Sequence, residues 1–237
     1  GIPTTVGVSC YNGESVREIF LPAMNLKGSL PSELGLMLDL YDINLFRNKI
    51  EGVIPDELKN IRRLKSLVLH DHKIKGTLPE WLTSFSHLAN LNLSVNKLAG
   101  LLPSKIGEMP SLETLALEKN FLSGSLHALK GSSKLRSLYL GGNAFLQGLG
   151  DELLSSWTSI EVLDLSDNLL DGELPTLLLT KDKLVVVDLH GNSFTGELPV
   201  NVQVDGSIEF LALQHNQLSG PIEDHLSSLS KLKHLDL

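Results

Sequence analysis

The feature that most constrains this chain is its period. From Val16, an apolar residue with two more apolar residues three and five places on returns at Leu40, Leu64, Leu88, Leu112, Leu135, Ile160, Leu184, Ile208 and Leu232. The interval is 24 residues everywhere except for one of 23, between Leu112 and Leu135, followed at once by one of 25. That makes nine full units over 16–237 and a tenth that reaches Leu237. A fixed period of about 20 to 50 residues is the mark of a stacked architecture, in which one unit cannot bury its own apolar side and its neighbours must do so.

Each recurrent position has a physical reason. Numbering Val16 as position 1, position 6 is Leu in all ten units, and positions 4 and 6 alternate with outward residues, the period of a short strand. Position 9 is Asn in seven of nine units, the exceptions being Met24 and His72. An amide both donates and accepts, so a stack of Asn side chains can satisfy backbone groups that a tight turn would leave buried and unpaired. Gly at position 13 permits backbone conformations that other residues resist. Pro at position 16, as in Pro31, Pro55 and Pro79, fixes φ and opens a short helical segment. The unit reads LxxLxLxxNxLxGxLPxxLxxLxx.

These residues resemble the leucine-rich repeat family, and the LxGxLP run marks its plant-type subclass, which includes receptor-kinase ectodomains and related plant and algal proteins. The resemblance covers Val16 to Leu237. It implies an α/β solenoid: a right-handed superhelix with a concave parallel sheet, short 3-10 or helical segments on the convex side, and a second row of short strands near LxGxLP. Residues 1–15 are similar to the end of the family's amino-terminal cap, with Pro3 and Thr5 standing where that cap has Cys and Trp. Residues 16–237 form a single solenoid domain. The edge at Leu237 is expected to be covered by further repeats or by a neighbour, because an open end exposes core Leu. The adjacent 23- and 25-residue units read either as a specialised bulge near 126–150 or as an indel tolerated in a surface loop.

Composition narrows the function. The net charge is −8, which argues against nucleic-acid binding, since phosphate contacts need clustered Lys and Arg. No apolar run approaches the roughly 20 residues of a membrane span. Cys10 is the lone cysteine, so no internal disulfide is available and the redox compartment is not legible. No nucleophile, phosphate-loop or kinase motif is present, and no enzymatic activity or cofactor is expected. Asp164, Asp188, His190 and His215 are metal-ligating types, but outward side chains on a sheet diverge, so no metal site is expected.

In this family the outward positions of the concave strands carry binding. Up to the unit beginning at Leu135, Glu18, Asp42, Asp71, Glu113 and Glu118 balance Arg17, Arg47, Lys65, Lys119 and Arg136. From Ile160 onward, Glu161, Asp164, Asp167, Asp188, Glu209 and Asp236 face Lys233 alone, a sum of −5. His190, His215 and His234 share that region. Asp164, Asp167, Asp188, His190, His215 and Asp236 are therefore read as a docking patch for a basic protein or peptide, against the plainer reading of a solvated acidic face. Phe46 and Tyr139 are candidate aromatic anchors. Asn92-Leu93-Ser94 is a glycosylation sequon, and a sugar there would block the face.

Two functions fit. One is a non-catalytic recognition module of a longer receptor-like or secreted protein, in the extracellular space or secretory pathway. The other is a structural scaffold subunit of a larger complex, in an organelle lumen.

Overall fold

The computed structural model describes residues 6–13, 15–199, 206–221, 226 and 229–237. Pro3 and Thr5 lie outside them. The LxL positions form the expected strands, beginning with Ser15–Phe20, Asp42–Asn44 and Ser66–Val68 and continuing to His234–Asp236. Ten of these strands pair in parallel, in sequence order. Ahead of them Gly7–Tyr11 pairs antiparallel with Ser15–Phe20 and completes an eleven-stranded sheet. Asn12 and Gly13, at φ 49° and 76°, make the tight turn between the two.

The register is the same at every step. The middle residue of each strand faces its counterpart on the next, as in Ile43–Leu67, Leu115–Leu138 and Leu163–Val187. Parallel strands must be linked by crossovers, and here each crossover is the rest of the repeat. Its inward Leu and Ile residues join those of the sheet in one continuous core, with Leu67, Leu91, Leu138, Leu163 and Leu189 wholly buried.

The helical turns start where proline predicts. Pro31, Pro55 and Pro79 sit at φ near −70° immediately before the 3-10 segments Ser32–Leu36, Asp56–Asn60 and Glu80–Ser84. The second row of strands is present as well. Six strands, from Lys27–Ser29 to Ala144–Leu146, form one lateral sheet, and three more, from Asp171–Glu173 to Gln217–Leu218, form another. Between them only a single bridge, Leu146 to Leu169, spans the irregular unit.

In the 23-residue unit, where His127 replaces Pro, Ser125 caps the turn Leu126–Leu129 by accepting the His127 N–H at 3.1 Å. In the 25-residue unit the turn becomes an α-helix, Asp151–Ser156. It delivers Trp157, fully buried, whose indole N–H donates to the Leu129 carbonyl at 3.0 Å. The length changes thus lie in the helical and lateral segments, while the concave strands on either side keep their pairing.

The Asn ladder does what its amide chemistry suggests. Asn168 Nδ2 donates to the carbonyls of Leu165 and Ser166 in its own unit and of Leu140 in the unit before, at 3.0–3.1 Å. Its Oδ1 accepts the Phe145 N–H at 3.0 Å. Asn96, Asn120 and Asn192 repeat the pattern. Each amide therefore ties two repeats together at the point where the strand turns.

Candidate functional site

The concave strands set the geometry of the acidic half. Asp164 and Asp188 face each other in register on paired strands, and Asp236 follows two strands on, past Ala212. Paired strands lie about 4.8 Å apart, so the column concentrates like charge. One oxygen of each of the first two carboxylates is already engaged. Asp164 Oδ1 accepts the Ser166 N–H at 3.0 Å and its hydroxyl at 2.6 Å. Asp188 Oδ1 accepts the His190 N–H at 3.2 Å and lies 2.6 Å from His190 Nδ1. Asn92 makes the same local bond to the Ser94 N–H at 3.1 Å. Asx at this position is thus a turn-forming residue, and where it is Asp a second oxygen is left to spare.

His190 is the centre of the patch. Its Nε2 reaches Asp167 Oδ2 at 3.4 Å while Nδ1 holds Asp188. Burial pulls its pKa down, but the Asp188 hydrogen bond and the charges of Asp188, Asp167 and Asp164 outweigh that, and the net shift is above the ordinary 6.5. His234 Nε2 similarly lies 3.4 Å from Asp236 and stacks on Phe210, ring centres 4.5 Å apart. His215 stands apart: it lines an apolar hollow with Leu198, Leu213 and Leu218 at the last repeat. Two flanking acids have partners. Arg136 pairs with Glu161 at 2.5 Å and Lys233 with Glu209 at 2.8 Å. The Arg136 pair crosses the line along which the sequence divided the face, so the free negative charge gathers on the Asp164–Asp167–Asp188 group.

Asp167 and His215 belong to position 8, which is not a strand position. Ala23, Arg47, Asp71, Val95, Lys119, Asp167 and His215 all have φ of 49–62°, and the remaining two are Gly142 and Gly191. The turn after each strand requires a left-handed residue there, which lifts these side chains onto the rim of the face. Gly191 leaves room for Asp167, since a Cβ would stand 2.3 Å from its Oδ1.

The other half holds the aromatics. Phe46 is stacked on His70, with centres 4.9 Å apart and planes 7° from parallel, so one of its faces is already covered. Tyr139 borders a shallow hollow of about 360 Å³ over Ala116, with Asn92, Ser94 and Glu118 around it. Ser94, buried, donates its hydroxyl to Glu118. Asn92 and Ser94 of the sequon therefore line the hollow, and sequence reasoning missed the hollow itself. Its signal was the small Ala116 in a column whose neighbours are Asn92 and Tyr139.

A second acidic pair was hidden by the zero sum. Glu18 and Asp42 oppose each other in register, and Tyr41 donates its hydroxyl to Glu18. Burial, and then the charge of Glu18, raise Asp42 to about 6 against a hydrogen bond from Ser66. Among the described residues no group of three or more His, Cys, Asp or Glu is placed to hold a metal. No helix among them is long and apolar enough to cross a membrane.

Leucine-rich repeat family models match residues 62–122, 86–145, 159–180 and 183–204, together more than half of the chain. The chain is a leucine-rich repeat protein. A search of curated proteins finds no match. Among solved structures the solenoid is similar to the plant peptide hormone receptor RGFR1 in complex with RGF2, at 27% identity and TM-score 0.84 over 92% of this chain and 36% of that one. It is also similar to the Arabidopsis receptor kinase HAESA in complex with the peptide hormone IDA and the co-receptor SERK1, at 26% identity and TM-score 0.80 over 92% and 37%. A plant ice-binding protein matches at 27% identity and TM-score 0.81 over 96% of this chain and 74% of that one. The leucine-rich repeat chain spans little more than a third of the length of the receptor structures.

Proposed function

We propose that this solenoid is a non-catalytic, extracellular recognition module that takes a basic peptide segment along its concave face. The observation that carries this reading is the in-register Asp164–Asp188 pair, with Asp167 beside it and one oxygen of each column carboxylate available. An extended cationic segment crossing the strands meets those oxygens in turn, and complementary charge speeds encounter and sets register. Tyr139 and the hollow over Ala116 lie a strand or two further along and suit an apolar or aromatic side chain of the same segment. Similar solved structures are receptors holding peptide hormones, which supports the choice of a peptide. A glycan on Asn92 would fill the hollow and leave only the acidic half open.

The test is a titration of a series of peptides graded in Lys and Arg content against wild type and an Asp164→Asn, Asp188→Asn double variant. Asn keeps the oxygen that accepts the position-7 N–H, as Asn92 shows, so the fold should persist. Affinity should rise with peptide charge, fall in the variant by roughly 10- to 150-fold per lost charge-assisted contact, about 1.5–3 kcal/mol each, and weaken with salt. Equal affinity for both proteins at low salt would exclude the acidic column as the docking surface.

A further inference from the structure

The lateral sheet carries a second charged surface of opposite sign. Lys27 and Lys49 are paired in register on adjacent strands, as are Lys75 and Lys97, and Lys73 lies opposite Glu51 between them. All five lysines are exposed, and none lies within ion-pair distance of a carboxylate among the described residues, where the pairs formed involve Arg63, Lys130, Arg136, Lys233 and histidines. Arg47 adds a sixth cation at the rim. Glu51 and Asp71 are the acids among them. A patch with six cations and two carboxylates is an anomaly on a chain whose net charge is −8. Like charges on neighbouring strands repel, and strands about 4.8 Å apart are closer than the roughly 8 Å screening length of physiological salt. The ladder therefore costs stability unless something anionic lies on it.

The same surface is also shaped. Gly28 and Gly52 lack side chains and leave their backbone uncovered, and with Ser29 they floor a shallow trough of about 590 Å³ bounded by Glu51, Lys73, Lys75 and Lys97. An adjoining hollow of about 430 Å³ runs past Arg47 and Lys49 and shares Lys73.

We propose that this trough binds a linear acidic polysaccharide of the polyuronate kind. A polyuronate bears one carboxylate on each sugar ring, so a segment lying in the trough presents several anions to the two lysine pairs, and its rings can lie against the glycine floor with Ser29 at hand for their hydroxyls. An extended acidic peptide presents same-face side chains only every 6.6 Å or so, twice the rise per residue, and has no ring hydroxyls to meet Ser29 or broad face to cover the glycine floor. Nucleic acid is disfavoured, because the rest of the molecule repels phosphate and no aromatic side chain among the trough residues offers a base a stacking surface.

The experiment is a titration of polygalacturonate oligomers against wild type, a Lys49→Gln, Lys73→Gln, Lys97→Gln variant, and the Asp164→Asn, Asp188→Asn variant, with neutral dextran and duplex DNA as comparisons. Gln217 already occupies the same position in the last full repeat, so the lysine variant should fold, and a melting curve checks that it does. Wild type and the aspartate variant should bind polygalacturonate alike, at least tenfold more tightly than the lysine variant, with affinity falling as salt rises and dextran inert. Equal binding by wild type and lysine variant, no binding by either, or tighter capture of DNA than of polygalacturonate overturns the proposal. The aspartate variant keeps the trough and the lysine variant keeps the acidic column, so failure of the trough in this titration and failure of the peptide site in the peptide titration are read separately.

Discussion

At the scale of single residues, the repeat shows what each position is for by the places where it is broken. His72 stands in the Asn ladder, yet both of its ring nitrogens are buried without a hydrogen-bond partner. Burial holds its pKa below the ordinary 6.5, only partly opposed by the carbonyls of Asn48 and Leu45, and burial lowers His70 too. His72→Asn should restore the ladder bonds and raise stability by about 1 kcal/mol at neutral pH in a denaturant melt. The pH dependence follows from the depressed values. As pH falls below about 6.5 the unfolded chain takes up protons that the folded chain refuses, so wild type loses stability down to the depressed folded value. The Asn variant should lose less over that window, and parallel stability curves would contradict the assignment. Gln147 is a second broken position. It carries φ 69° where the other eight units have Gly, because the one-residue offset places Gly148 one step late. Gln147→Gly should stabilise by about 1 kcal/mol, read as a rise in melting temperature, since a left-handed non-glycine residue costs roughly 1–2 kcal/mol.

At the scale of the element, the strands are too short to be stable alone and are held by what stacks on them. Three-residue strands such as Val162–Asp164 owe their place to wholly buried Leu163 and Leu165 and to the amide of Asn168 at their exit. Ser166, on the same exit turn, is itself 7% exposed and bonded to Asp164, so the neutral control for Asn168→Ala is an exposed change such as Lys59→Gln. Asn168→Ala should cost about 1–3 kcal/mol, well beyond that control, as measured by urea unfolding. The irregular pair of units makes the same point through packing. Its extra residue winds Asp151–Ser156 into an α-helix and seats Trp157 at 0% exposure. Trp157→Ala should cost about 3–5 kcal/mol. A loss under about 1 kcal/mol would mean that the segment is a tolerated loop after all.

At the scale of the whole molecule, the acidic half of the concave face and the lysine-lined lateral face oppose each other in charge, and the acidic half holds a histidine whose titration sets that charge. His190 is gripped by Asp188 and Asp167, and its pKa is raised. Protonation stabilises the fold below 6.5, and that gain is lost as pH rises through the raised value. For binding the sign reverses. A neutral His190 leaves the aspartates fully negative, so affinity for a basic peptide should be greatest above the raised pKa and weaken as pH falls through it, at a pH above the ordinary histidine value. His190→Gln should flatten that dependence in a titration series from about pH 5.5 to 8.5. An unchanged slope would place the titrating group elsewhere.

The sequence by itself determined the architecture, because a repeat is a local code. Each unit specifies a strand, a turn, a lateral strand and a helical turn from positions within about 24 residues, and stacking then has one register that buries every Leu. The ladder and the acidic column were legible for that reason, and the second row of strands through the resemblance to the plant-type repeat. What only the tertiary structure decided is what neighbouring units do to one another. No count along the chain shows that Arg136 reaches Glu161 in the next repeat, that His70 covers Phe46, or that Glu18 and Asp42 meet across two strands. The lysine ladder was equally hidden. Its residues sit at two different positions of the unit, and only the stagger of the lateral strands, which sets position 12 of one unit beside position 10 of the next, brings Lys27 to Lys49 and Lys75 to Lys97.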